Sequence, residues 1–180
     1  MKTRTVRSRP RGSAAYAAPR HARSERSPVI QRTHISQEPS ICERCGAVYL
    51  RKTWRRGERT RKTPRIGAGW TTCPACAQVA DGEYFGRVRT TRALDPVLEA
   101  AVMRRVRNVE QRAMHTQPER RMVRIERTGD GLEILTTSQK LAHRIANELK
   151  KAFGGTTRLT WTTPEGSLEA TWDPPAETER

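Results

Sequence analysis

The chain has 180 residues, a hydrophobic fraction of 34%, an aromatic fraction of 5% and a formal net charge of +16. That length holds one modest domain or two small ones, and no stretch approaches the roughly 18 apolar residues of a membrane-spanning helix. The charge is lopsided: residues 1–40 carry nine basic and two acidic residues, 41–92 twelve and four, and 93–180 fourteen and thirteen. A solubility device would spread its charge, so this concentration points to a polyanionic partner, nucleic acid ahead of an anionic membrane surface.

From Met1 to about Ser40 there is no apolar periodicity, and Pro10, Gly12, Pro19, Pro28 and Pro39 punctuate a stretch of Arg, Ser and Ala. This reads as a disordered basic arm, 1–40, that threads along phosphates and orders on binding. A solvated tail is the plainer alternative, and the Arg-rich, acid-poor start leaves a transit peptide open.

Two Cys-x2-Cys pairs follow, Cys42/Cys45 and Cys73/Cys76, and the chain has no other cysteine. Four thiolates in this spacing make one tetrahedral structural zinc site of the ribbon or knuckle kind, and the bound ion supplies folding energy that a small core cannot. The lack of an odd cysteine or a visible signal peptide suits a reducing, cytoplasmic compartment rather than a disulfide framework. With four thiolates on one ion no position stays open for water, so the site is structural rather than catalytic.

The loop between the pairs carries Arg51, Lys52, Arg55, Arg56, Arg59, Arg61, Lys62 and Arg65 against the single acid Glu58, with Tyr49, Trp54 and Trp70 interleaved. It is expected to be an RNA-binding finger in which Arg and Lys neutralise phosphates and Trp54 or Tyr49 stacks on an exposed base. Ala47–Trp54 reads as the outgoing strand, the Gly-, Thr- and Arg-rich middle as a mobile tip, and Gly69–Thr72 as the return. A further strand over Tyr84–Thr90 closes a zinc-ribbon module assigned to 41–92.

A linker helix is expected over 93–117. Asp95 is placed to cap it and Pro96 to occupy its first position, Leu98, Val102, Val106, Val109 and Ala113 form one apolar stripe, and Pro118 stops it. Its other face, with Arg104, Arg105, Arg107 and Arg112, is either solvated or an extension of the basic surface. Residues 118–173 then read as a small ββαββ domain. A hairpin turns at Thr128-Gly129-Asp130-Gly131, a helix capped by Thr137 or Ser138 repeats Leu141, Ile145, Leu149 and Phe153, and strands Arg158–Thr162 and Ser167–Trp172 complete the sheet. Trp161 and Trp172 are expected in its core, and 174–180 is a tail. The fold class is therefore α+β.

Nothing in the chain suggests an enzyme or a small-molecule substrate. Nucleophile-elbow, Walker, zinc-protease and deaminase motifs are absent, and His21, His34, His115 and His143 lie far apart.

The knuckles Ile41–Gly46 and Thr72–Cys76, the basic helix, and then Arg121–Glu126 and Thr136–Ile145 resemble a group of short bacterial zinc-ribbon proteins. That group is similar to the amino-terminal part of the NMD adaptors of the large ribosomal subunit. The resemblance implies the four cysteines as zinc ligands and ribosomal RNA as the partner. It covers 41–172, but the adaptors' additional Cys pairs, carboxy-terminal domains and export signals have no counterpart here. The resulting expectation is a zinc-stabilised RNA-binding protein associated with the ribosome. The alternatives are a zinc-ribbon protein-interaction adaptor in transcription or quality control, and a DNA-binding regulator, which lacks a recognition helix with a suitable polar face.

Overall fold

The computed structural model describes residues 37–57, 60, 66–161 and 166–176. The arm expected over 1–40 lies outside them up to residue 36, as do residues 58–59 and 61–65 of the finger, the turn at 162–165 and the end of the tail. The described residues form an α+β protein with two sheets and three helices.

The first sheet gathers four three-residue strands around the cysteines: β1 (Ser40–Cys42), β2 (Val48–Leu50), β3 (Thr53–Arg55) and β4 (Gly69–Thr71). Their order is β3-β2-β1-β4, with β1 antiparallel to β2 and parallel to β4. Two expectations change here. Ser40 is buried at the start of β1, and its hydroxyl donates to the Gln37 carbonyl at 2.5 Å, so the end of the stretch read as an arm is the first residue of the sheet, with residues 37–39 bending into it. The strand expected over Ala47–Trp54 is instead a tight hairpin. Arg51 and Lys52 both adopt left-handed backbone, at φ 52° and 59°. The Glu38 carboxylate accepts from their amides at 2.9 and 3.2 Å, which holds a turn that two non-glycine residues would otherwise disfavour.

A helix that the sequence reading missed, α1 (Pro74–Asp81), starts on the second Cys pair. Cys73 is its N-cap, Pro74 fills the first turn where no amide is needed, and Gly82 ends it at φ 70°.

The second sheet has the order β6-β7-β5-β9-β8, from β5 (Gly86–Thr90), β6 (Met122–Thr128), β7 (Gly131–Thr136), β8 (Thr156–Trp161) and β9 (Leu168–Asp173). It is mixed, with β5 antiparallel to β7 and parallel to β9. Helices α2 (Pro96–Thr116) and α3 (Gln139–Phe153) cover one face. The strand assigned to the zinc module is thus the middle of this sheet. The helix read as a linker packs too: Val102, Val106, Val109 and Ala113 share one core with Leu141, Ile145 and Leu149 of α3 and Val88 of β5. The ββαββ unit is thereby completed to βαββαββ. Each fully buried Leu or Ile in that core contributes about 1.5–3 kcal/mol of transfer free energy.

The caps fall where the sequence put them. The Asp95 carboxylate accepts from the amides of Val97 and Leu98 at 2.9 and 3.0 Å, and the Ser138 hydroxyl accepts from the Leu141 amide at 3.3 Å. Trp172 is fully buried and its indole N–H donates to the Gly154 carbonyl at 3.0 Å. Trp161 is not core, being 66% exposed. It lies on β8, the outermost strand, where it pairs with Leu168 and has no further strand beside it among the described residues.

Candidate metal centre and basic finger

Each Cys pair is presented by a different element. Cys42 ends β1, and the chain turns through Cys45 and Gly46, whose φ of 69° suits a residue without Cβ. The turn is closed by the Gly46 amide on the Cys42 carbonyl at 2.8 Å and the Cys42 amide on the Ala47 carbonyl at 2.7 Å. Cys73 and Cys76 stand at the cap and in the first turn of α1.

The four sulfurs lie within 4.8 Å of one another, and Cys45 Sγ is 3.8 Å from Cys73 Sγ. A tetrahedral zinc with Zn–S bonds of about 2.3 Å has sulfurs about 3.8 Å apart, so this set fits one ion with little rearrangement. Three of the four cysteines are buried, and the Cys73 amide donates to Cys42 Sγ at 3.3 Å, a contact that favours thiolate over thiol. The hydrogen bond with Cys73 pulls the Cys45 thiol down to about 4 against the opposing effect of burial. The same bond, followed by burial, holds Cys73 well above the usual thiol range, and burial pushes Cys76 up to about 11.

A residue the sequence reading did not single out completes the site. The Arg121 guanidinium donates from Nη1 to Cys76 Sγ at 3.6 Å. Burial lowers its pKa, but the charges of Cys76 and Cys45 outweigh that and hold it above the ordinary guanidinium value. Its backbone is anchored just before β6: the Arg121 amide donates to Thr137 Oγ1 and its carbonyl accepts from the Thr137 amide, both at 2.9 Å. The second sheet thus delivers one positive charge to the cysteine cluster. Arg121 is 45 residues from Cys76 in sequence, so no local spacing announces it.

The finger residues divide by environment. Arg51 and Lys52 are exposed at the tip of the β2–β3 hairpin, and Arg55 is exposed on β3. None of the three makes an ion pair among the described residues. Arg56 is partly buried, and its Nη1 contacts the Met114 sulfur of α2 at 3.8 Å. It lines a shallow cleft between finger and helix with Gly57, Gln111, Met114 and His115. Trp54 is half-buried against the cysteine cluster and tilts onto Tyr49, ring centroids 5.3 Å apart at 53°. Arg59, Arg61, Lys62 and Arg65 lie outside the described residues.

By contrast, many arginines of the second sheet and its helices are paired. Arg87 and Arg89 meet Glu133, Arg89 also meets Glu169, Arg105 and Arg112 share Glu148, Arg124 meets Glu126, and Arg127 meets Glu99. Of the four helical arginines expected either to be solvated or to extend the basic surface, Arg105 and Arg112 are thus partly neutralised, while Arg104 and Arg107 are exposed without an ion pair among the described residues.

Fold and site together define a basic finger with four cysteines arranged to hold a metal ion, attached to a mixed α+β sheet unit. Residues 87–163 match the family NMD3, second domain, and so this stretch, from β5 to the end of β8, is similar to that domain. The match does not include the cysteines. A search of curated proteins finds no match to the chain.

Proposed function

We propose that the protein is a cytoplasmic, non-enzymatic RNA-binding protein whose finger is held by one structural zinc and which associates with the large ribosomal subunit. The observation that carries this reading is the division of charge partners. Among the described residues, Arg87, Arg89, Arg105, Arg112, Arg124 and Arg127 of the second sheet unit are matched to carboxylates, though Arg104, Arg107, Arg144 and Arg158 are not, whereas all three exposed cations of the cysteine-held hairpin, Arg51, Lys52 and Arg55, lack an ion pair. Cations left unpaired on a rigid support suit phosphates, whose neutralisation releases condensed counterions.

Cys42, Cys45, Cys73 and Cys76 would hold the zinc, which supplies folding energy rather than chemistry. The hairpin then presents its cations in fixed register, and Arg121 reduces the net charge of the thiolate cluster behind it. The similarity of residues 87–163 to NMD3, second domain, supports the ribosome as the place of action. The test is sedimentation of a lysate through sucrose gradients. Comigration with the large subunit in low salt, lost in high salt, is the expected result, and protein remaining at the top of the gradient in low salt would overturn it.

A further inference from the structure

Trp70 is 66% exposed on β4, while Trp54, the residue that sequence reading favours for stacking, is half-buried on the cysteine cluster with one flank against Tyr49. The register of the first sheet gives Trp70 its neighbours. It pairs with Ile41, Ile41 with Val48, and Val48 with Arg55, so these four residues share one face in a row across all four strands. Ile41 and Val48 are buried, whereas the two ends of the row, Trp70 and Arg55, are available to solvent. Three strand spacings separate them, on the order of 14 Å.

The opposite end of β4 adjoins the first knuckle, where the Glu43 amide donates to the Thr71 carbonyl at 3.1 Å and Arg44 is exposed. Ile66, 97% exposed, stands in the turn leading into the strand. A large exposed indole thus stands with one exposed aliphatic side chain before it, on a sheet face that carries Arg55 at its far edge and beside a knuckle that carries Arg44. A protein partner calls for a broader apolar patch. An exposed aromatic face on a sheet that also carries exposed arginines suits single-stranded nucleic acid, because every base offers a π-face and the flanking phosphates need neutralising.

We infer that Trp70, not Trp54, is the stacking platform for an unpaired base of the bound RNA, with Arg55 and Arg44 holding phosphates to either side. This rests on the RNA-binding reading and names its contact with the bases. Trp54 instead seals the metal cluster.

The test uses the full-length zinc-loaded protein and three probes of equal length: a single-stranded oligoribonucleotide, its abasic ribose–phosphate counterpart, and an RNA duplex. Trp70→Ala should weaken binding to the single strand roughly 5- to 100-fold, leave the dependence on salt unchanged and affect the duplex little. Trp70→Phe should restore most of the affinity. The wild-type protein should bind the abasic strand about as weakly as Trp70→Ala binds the intact one, a comparison that needs no altered protein. Equal wild-type affinity for abasic and intact strands, or a Trp70→Ala variant that binds like wild type, would overturn the inference while leaving phosphate binding by the finger standing. Failure of the wild-type protein to bind any of the three probes would instead remove the RNA reading itself.

Discussion

Replacing Arg121 with Ala should lower zinc affinity by one to two orders of magnitude without touching a ligand. Four thiolates on a divalent ion leave a net charge of −2, and Arg121 donates to one of them at 3.6 Å from an element outside the knuckles. A hydrogen bond to a charged group contributes about 1.5–3 kcal/mol, which at about 1.36 kcal/mol per decade is roughly 10- to 150-fold in affinity. Residues that support metal ligands from behind lose about 10- to 100-fold when removed, in the same range. Arg121 is only partly buried, so the lower end, about tenfold, is the expectation. The backbone bonds from Arg121 to Thr137 survive the change, so the second sheet should melt as before. Arg121→Lys retains a charge but not the planar fork and should fall between the two. The assay is competition for zinc with a chromophoric chelator under reducing conditions. An Arg121→Ala affinity within twofold of wild type would show that the contact is incidental.

Cys73→Ser should abolish stoichiometric zinc and expose the amides of β1–β4 to rapid hydrogen exchange, while α2 and α3 keep their protection. Their core is a separate cluster from the one around the cysteines, and mass spectrometry of exchanged peptides reads both. Glu38→Ala removes the acceptor for the Arg51 and Lys52 amides and should destabilise the hairpin by about 1 kcal/mol, in the range of a lost cap. It should weaken RNA binding modestly with no change in salt dependence, measured by titration at several salt concentrations.

The helices were legible because their signals are local. Asp95-Pro96 and Ser138 specify starts through side-chain oxygens that reach amides two or three residues on, and a repeat of three and four specifies the buried stripe. The Cys spacing was legible for the same reason, since each pair sits on one turn of backbone. What escaped depends on distant partners. Gly86–Thr90 alternates as any strand does, and only pairing with β7 and β9, 44 to 82 residues away, decides that it centres the second sheet. The turn at Arg51-Lys52 carries no glycine or asparagine and is fixed by Glu38, 13 residues upstream. Helix α1 did leave a trace, in Pro74 after Cys73 and Gly82 at its end, but its eight residues are too few to show a helical repeat. Tryptophan roles follow the same division: indole bulk suggests a core at both 161 and 172, and only the position of β8 at the sheet edge separates them.

The claim that an unpaired, metal-held set of cations binds phosphates is tested most directly by the salt dependence of RNA affinity. Each phosphate contact on a single strand contributes about −0.7 to the slope of log affinity against log salt concentration. Arg51, Lys52, Arg55 and Arg56 changed together to Gln should therefore flatten the slope by up to about 3 units, with zinc content and melting temperature kept near those of the wild type. An unchanged slope in the zinc-loaded variant would place the phosphate contacts elsewhere and contradict the account.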